Sequence, residues 1–168
     1  MKILTLLLIL FLAVIWDFSK DKIPNSLIIV GLIAGVINLI FYRDLVTFLI
    51  HIPGILFPII LLFPLYKIGT LGAGDIKLFT LLGFYFPLME TLYFIFVAFF
   101  IGAIISIFVL ICRKNLKERI EYLFSYIRDY ISLGYLHYYY KGEKNEEKKS
   151  TIHFSLPIFL SVLFYTLS

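Results

Sequence analysis

The fold is decided by one uncharged stretch, TLYFIFVAFFIGAIISIFVLIC, at Thr91–Cys112. An α-helix rises ~1.5 Å per residue, so this stretch is long enough to cross a ~30 Å hydrocarbon core. Backbone amides and carbonyls cannot be left unpaired in lipid, and a helix pairs them within its own segment. The stretch therefore predicts a transmembrane helix.

The composition of the whole chain agrees with this interpretation. Hydrophobic residues make up 61% of the 168 residues, charged residues make up 15%, and the mean hydropathy is +0.98. These values exclude a disordered chain, a collagen, a coiled coil and an ordinary water-soluble enzyme. The single cysteine, Cys112, excludes an internal disulfide and a multi-cysteine zinc site. The net charge of +4 indicates basic loops beside anionic lipid, and we predict no nucleic-acid partner.

Six apolar stretches predict six transmembrane helices. They are Ile3–Trp16, Ser26–Tyr42, Leu45–Tyr66, Ile76–Phe86, Thr91–Cys112 and Ile152–Leu167. With six crossings, almost every lysine and arginine falls on one side, and only Lys2 and Arg43 fall on the other. The positive-inside rule then places both termini outside. We predict an all-α integral membrane protein of the cytoplasmic membrane, with one domain over residues 1–168.

Other parts of the chain refine this map. The cytoplasmic loop 113–150 joins spans five and six, and Asn115–Asp129 within it has the periodicity of an amphipathic helix lying on the membrane surface. Prolines inside the third stretch predict a kinked or broken helix, and Pro87 is expected to end the fourth. The first helix is expected to continue beyond Trp16 to Asp21 or Lys22, because the apolar run alone is too short to cross.

Two acidic residues are expected at membrane depth, where a carboxylate is costly and indicates function. Asp17 lies about one turn inside the cytoplasmic end of the first span, and Asp75 begins the fourth span at the same level. They are either a facing pair in one site or boundary charges that reach water or pair with nearby lysines. Asp21 follows on the same helical face as Asp17, as a third acid or as a solvated end charge, which we favour.

The residues around the two acids form short motifs. Asp17-Phe-Ser-Lys-Asp-Lys-Ile-Pro-Asn25 resembles the D-x5-I-P-N signature of the type IV prepilin peptidase family. Gly72-Ala-Gly-Asp-Ile-Lys77 resembles the G-x-G-D-x-K motif of the same family. The order, the spacing and the six-span layout also match. The glycines of the second motif let the backbone turn sharply and another helix or a substrate strand approach closely. Asn25 is either a substrate contact or a residue that satisfies backbone donors at the start of the second helix, which we favour.

The resemblance implies an aspartic-type membrane endopeptidase in which Asp17 and Asp75 are the catalytic pair. It implies substrates that are prepilin-like or preflagellin-like precursors with a short basic leader and a hydrophobic helix, cleaved at the cytoplasmic face. The chain is similar to the short, peptidase-only form of tight-adherence pilus systems and archaeal preflagellin peptidases. We therefore expect no methyltransferase activity, no cysteine-rich metal segment, no metal site and no cofactor.

Helix dipoles suggest how the two acids divide the chemistry. A helix start stabilises an anion and a helix end disfavours one, so Asp75 is expected to be the base and Asp17 the acid. His51, His137 and His153 show no ligand spacing, and Ser155 is expected to bond a backbone carbonyl of its own helix. Two other functions remain open: a small transporter or ion-binding protein that uses the acids as a relay, and a non-catalytic membrane scaffold.

Overall fold

The computed structural model describes residues 2–42, 45–112, 121, 124–125, 128, 132 and 153–167. These residues form six α-helices and, within those ranges, no β-strand: α1 Lys2–Lys20, α2 Asn25–Tyr42, α3 Leu45–Lys67, α4 Ala73–Gly83, α5 Leu88–Cys112 and α6 Ser155–Leu167. The prediction of an all-α protein is confirmed. Of the predicted amphipathic helix at Asn115–Asp129, the structure describes residues 121, 124, 125 and 128, which are helical; the rest of it, like most of the loop 113–150, lies outside the described residues.

Three of the helices are long and apolar enough to cross a membrane: Ile3–Lys20, Val46–Lys67 and Leu88–Cys112. Only 22–28% of the residues in these three segments are buried inside the protein. Large apolar side chains therefore point outward, as at Ile60 and Phe96, which are 71% and 73% exposed. A continuous apolar surface of this kind is stable in lipid and not in water. The molecule is a membrane protein, whereas its six-crossing topology and the outside location of its termini remain predictions.

Helix α4 lies at the centre of the bundle. It packs against α2, α3, α5 and α6, and four of its side chains, those of Leu78, Phe79, Leu81 and Leu82, are completely buried. A helix that is apolar on all sides is stable only when it is surrounded in this way. With 11 residues, α4 is about 16 Å long, which is only half of a hydrocarbon core.

The expected end of the fourth helix at Pro87 is wrong. Helix α4 ends at Gly83, and the chain then turns through Phe84 and Tyr85, whose backbone N–H groups donate to Leu81 O and Leu82 O. Pro87 instead precedes the first turn of α5, where a missing backbone N–H costs nothing, because the first donors of a helix have no partners within it.

The prolines of the third helix predict a kink or a break, and the break is wrong. Helix α3 runs without interruption from Leu45 to Lys67, and Pro53, Pro58 and Pro64 all lie inside it. An internal proline removes one backbone hydrogen bond and crowds the preceding turn. In α3 the packing against α4 and α5 keeps the helix continuous despite these losses.

Candidate active site

Asp17 lies in the last turn of α1. The helix continues beyond Trp16 to Lys20, as its expected length required, and it ends where Asp21 adopts a left-handed backbone conformation with φ 51°. The Asp21 N–H donates to Asp17 O at 2.9 Å, which closes the final turn. Asp17 therefore lies about one turn before the end of the first helix, and its position one turn inside the cytoplasmic boundary remains a prediction.

Asp75 lies in the first turn of α4. The Gly72 N–H donates to Asp75 Oδ2 at 3.2 Å, so the carboxylate caps the start of the helix that carries it. The first N–H groups of a helix have no partner within it, and an acidic side chain at this position satisfies one of them. The geometry fixes the direction in which the Asp75 side chain points.

The motif glycines serve close packing, not the sharp turn expected from the sequence. Gly72 has φ −77° and ψ 148°, which any residue can adopt. The positive φ in this connection belongs to Gly69, at 77°. Gly74 faces Ile23, whose Cδ1 atom would lie 3.1 Å from a Cβ added at residue 74. A close approach is thus observed at Gly74, from Ile23 in the connection between α1 and α2 and not from another helix.

One cavity of about 970 Å³ brings the two acids together. Asp17 and Asp75 both line it. The wall is formed by the ends of α1 and α3 and the starts of α2 and α4, all at the same end of the bundle. Asp21 also lines the cavity, with 52% of its side chain exposed, against 13% for Asp17. Asp21 is thus the more solvated of the two acids at the end of α1.

The cavity extends into the apolar part of the bundle. Phe99, Gly102 and Ser106 of α5 contribute to its wall. Ser106 lies six residues before the end of α5 at Cys112, which is about 9 Å along the helix axis. Beyond Ser106, the apolar side chains of Ile107 and Phe108 are exposed on the outer surface. The site therefore combines carboxylates with apolar walls.

The start of α6 supplies two partners that the sequence analysis missed. The Ser155 hydroxyl donates to Asp17 Oδ2 at 2.6 Å, and Ser155 is completely buried. His153 Nδ1 lies 3.5 Å from Asp17 Oδ1, and Nε2 lies 3.9 Å from Asp21 Oδ1. The imidazole stacks on Phe18 with ring centroids 4.4 Å apart. The expectation that Ser155 bonds a carbonyl of its own helix is wrong, because Asp17 of α1 is closer to its hydroxyl.

Two lysines lie beside the cavity, and one of them bonds a residue of the first motif. Lys22 and Lys77 line the cavity, and Lys77 Nζ donates to Asn25 Oδ1 at 2.8 Å. The side chain of Asn25 therefore accepts from a lysine of α4, a contact that differs from the expected bond to donors at its own helix start. Within the described ranges, no group of three or more histidine, cysteine or acidic side chains is arranged to hold a metal ion.

The chain was compared with known families, curated proteins and solved structures. A family model described as "Type IV leader peptidase family" matches residues 4–107. This range contains both cavity acids and ends inside α5, so His153 and Ser155 lie outside it. No curated protein and no solved structure matches the chain at a significant level.

Proposed function

We propose, from the premise that the chain belongs to the type IV leader peptidase family, that it is an aspartic endopeptidase. In this proposal it removes the short basic leader from prepilin-like or preflagellin-like precursors at the cytoplasmic membrane face. One observation carries the proposal: Asp17 and Asp75, from helices far apart in the chain, line the same cavity. The family match supports peptidase activity in general, and the shared cavity supports the assignment of these two residues.

The two carboxyl groups divide the proton transfers of peptide hydrolysis. Neighbouring carboxylates do not both ionise easily, so one holds a proton while the other is an anion. The anion takes a proton from water as the water oxygen bonds to the peptide carbonyl carbon. The protonated acid assists the carbonyl oxygen, and a proton then passes to the amine as the C–N bond breaks. The presence of Asp17 and Asp75 in one cavity supports this coupling.

The shape of the cavity supports the proposed substrate class. An apolar wall from α5 suits a precursor whose cleavage site adjoins a hydrophobic helix, while the exposed carboxylate of Asp21 suits a basic leader. The lysines Lys20, Lys22, Lys67 and Lys77 lie at the same end of the bundle as the cavity. Because lysines concentrate on the cytoplasmic side of membrane proteins, their position supports cleavage at that face.

The test is leader removal from a pilin-like precursor co-expressed with the full chain and followed by intact mass. We expect wild-type protein to shorten the precursor, and Asp17→Asn and Asp75→Asn to slow cleavage by about 10²–10⁴-fold, since each loses a proton-transfer group. Glu90→Gln is the matched control, because it removes a carboxylate from the first turn of α5, away from the cavity. Retained helix content in detergent shows that each variant is folded. Full cleavage by Asp75→Asn would overturn the proposal.

The alternative of a transporter or ion relay finds less support. Transporters commonly bind their substrates between discontinuous helices, and α3, the helix for which a break was predicted, is continuous from Leu45 to Lys67. Proton or cation flux in vesicles that depends on Asp17 and Asp75, together with an uncleaved precursor, would favour the alternative.

A further inference from the structure

Both oxygens of the Asp17 carboxylate face the chain at the start of α6. Ser155 Oγ is 2.6 Å from Oδ2 and His153 Nδ1 is 3.5 Å from Oδ1. These two residues follow α5 by about forty positions, and they lie beyond the part of the chain that the family model matches. The partners of Asp17 therefore come from a part of the chain that the two motifs do not include.

The Ser155 contact has the geometry of a charge-assisted hydrogen bond. Hydroxyl-to-carboxylate bonds are shorter than those between neutral groups, and 2.6 Å lies in their usual range. Ser155 is completely buried, so its hydroxyl exchanges no hydrogen bond with water. The bond to Asp17 is accordingly stronger than an exposed one, and in this contact Asp17 Oδ2 is the hydrogen-bond acceptor.

The His153 ring lies between two carboxylates and is held by its surroundings. Its two nitrogens face Asp17 and Asp21, and both nitrogens donate when the ring is an imidazolium. Phe18 stacks on one face of the ring. These contacts fix the orientation of the imidazole relative to the Asp17 side chain.

Phe154 anchors the backbone between the two residues. Its ring centroid lies 5.0 Å from that of Phe99 and 6.3 Å from that of Phe79. It also packs against Gly102, where an added Cβ would lie 2.8 Å from the ring. Because α6 packs against both α1 and α5, the segment at residues 153–155 is held in a defined position against Asp17.

We infer that His153 and Ser155 are positioning residues for the peptide hydrolysis, holding Asp17 as the carboxylate that accepts the proton of water and leaving Asp75 as the proton donor. The inference rests on the proposed function and deepens it. It reverses the assignment expected from helix dipoles alone. Asp75 also accepts a hydrogen bond, from the Gly72 N–H at 3.2 Å, but that contact is exposed and longer than the 2.6 Å bond that Asp17 receives from a buried hydroxyl. A hydrogen bond to a charged group also outweighs the dipole of a single helix end.

The first test compares two serines of α6. Ser155 and Ser161 are both completely buried, but Ser161 donates to Ile158 O of its own helix. In the full-length protein acting on a precursor, we expect Ser155→Ala to lower kcat by about 10- to 100-fold with KM unchanged. Ser161→Ala should retain the wild-type kcat, and Ser155→Thr should recover most of the activity because it keeps the hydroxyl. Equal kcat values for the two alanine variants would overturn the inference, as would a Ser155→Thr variant no better than Ser155→Ala.

A second pair of variants tests His153. His153→Phe keeps an aromatic ring to stack on Phe18 but removes both nitrogens, whereas His153→Asn keeps an amide donor near the place of Nδ1. We expect kcat to fall more in His153→Phe than in His153→Asn, with KM unchanged in both. The reverse order would contradict a donor role for His153.

If wild-type protein does not cleave the precursor, the proposed function itself fails. If wild-type protein cleaves the precursor and Asp17→Asn does not, a wild-type kcat in the His153 and Ser155 variants overturns only this inference.

Discussion

Lys77 Nζ donates a hydrogen bond of 2.8 Å to Asn25 Oδ1, between residues 52 positions apart. Asn25 closes the motif that begins at Asp17, and Lys77 closes the motif that contains Asp75. Gly74 and Ile23 form a second contact between the same two motifs. The motifs are therefore parts of one structural unit. This unit holds together the end of α1, which carries Asp17, and the start of α4, which carries Asp75.

The first prediction concerns the Asn25–Lys77 hydrogen bond. Asn25→Ala and Lys77→Ala should each lower kcat/KM, and the double variant should be little worse than either, with a coupling free energy of about 0.5–1.5 kcal/mol. Both side chains are exposed, which keeps the coupling modest. Lys67→Ala is the control, because Lys67 lies over the ring of Phe63 at the same end of the bundle. Strictly additive effects in the cycle would show that the bond does not connect the motifs functionally.

The second prediction concerns the contact between α3 and α4. A Cβ at Gly83 would lie 2.4 Å from the carbonyl carbon and oxygen of Gly54, so Gly83→Ala forces two helix backbones apart. We expect a loss of about 3 kcal/mol or more in stability, measured as a lower Tm in detergent. Gly31→Ala is the control, since its Cβ would meet side-chain ends and no backbone, at 2.9 Å from Leu81 Cδ2 and 3.3 Å from Ile9 Cγ2. A Tm for Gly83→Ala equal to that of Gly31→Ala would contradict the backbone contact.

The third prediction separates two glycines of the connection between α3 and α4. Gly69 has a left-handed φ of 77°, so Gly69→Ala should cost about 1–2 kcal/mol of stability. Gly72 has an ordinary φ, but an added Cβ would lie 3.0 Å from Asp75 Oδ2. Gly72→Ala should therefore lower kcat more than it lowers Tm, because it displaces the carboxylate. Thermal unfolding and cleavage rates measured on the same preparations distinguish the two effects, and a reversed pattern would contradict this assignment.

The sequence predicts those parts of the molecule that depend on local properties. Long apolar runs are sufficient to predict α2, α3 and α5, and the length needed to cross a membrane predicts the extension of α1 beyond Trp16. The shared cavity of Asp17 and Asp75 agrees with the similar depth predicted for the two residues. The end of α4 at Gly83 could not be predicted from local properties. It lies where the helix meets the backbone of Gly54 in α3, which is a contact between distant residues.

The hydrogen bond of Ser155 could not be predicted from the sequence either, because it also depends on a contact with a distant part of the chain. A serine in an apolar helix has a backbone carbonyl within reach, and Ser161 follows that local rule. Ser155 follows a tertiary contact instead, with a partner 138 positions away. Its place in the first turn of a helix beside a histidine is the only local sign of a different role, and that sign does not identify Asp17.

The last prediction concerns Asp21, which the sequence analysis favoured as a solvated end charge. Its φ of 51° is left-handed, a conformation that asparagine and glycine tolerate and alanine does not. Asp21→Asn and Asp21→Gly should therefore keep the wild-type Tm or exceed it. Asp21→Ala should lower the free energy of unfolding by about 1–2 kcal/mol. Because its side chain is 52% exposed and its nearest partner is His153 Nε2 at 3.9 Å, Asp21→Asn should retain most of the cleavage that Asp17→Asn abolishes. Loss of cleavage in Asp21→Asn as complete as in Asp17→Asn, at an unchanged Tm, would make Asp21 a third catalytic acid and contradict the prediction.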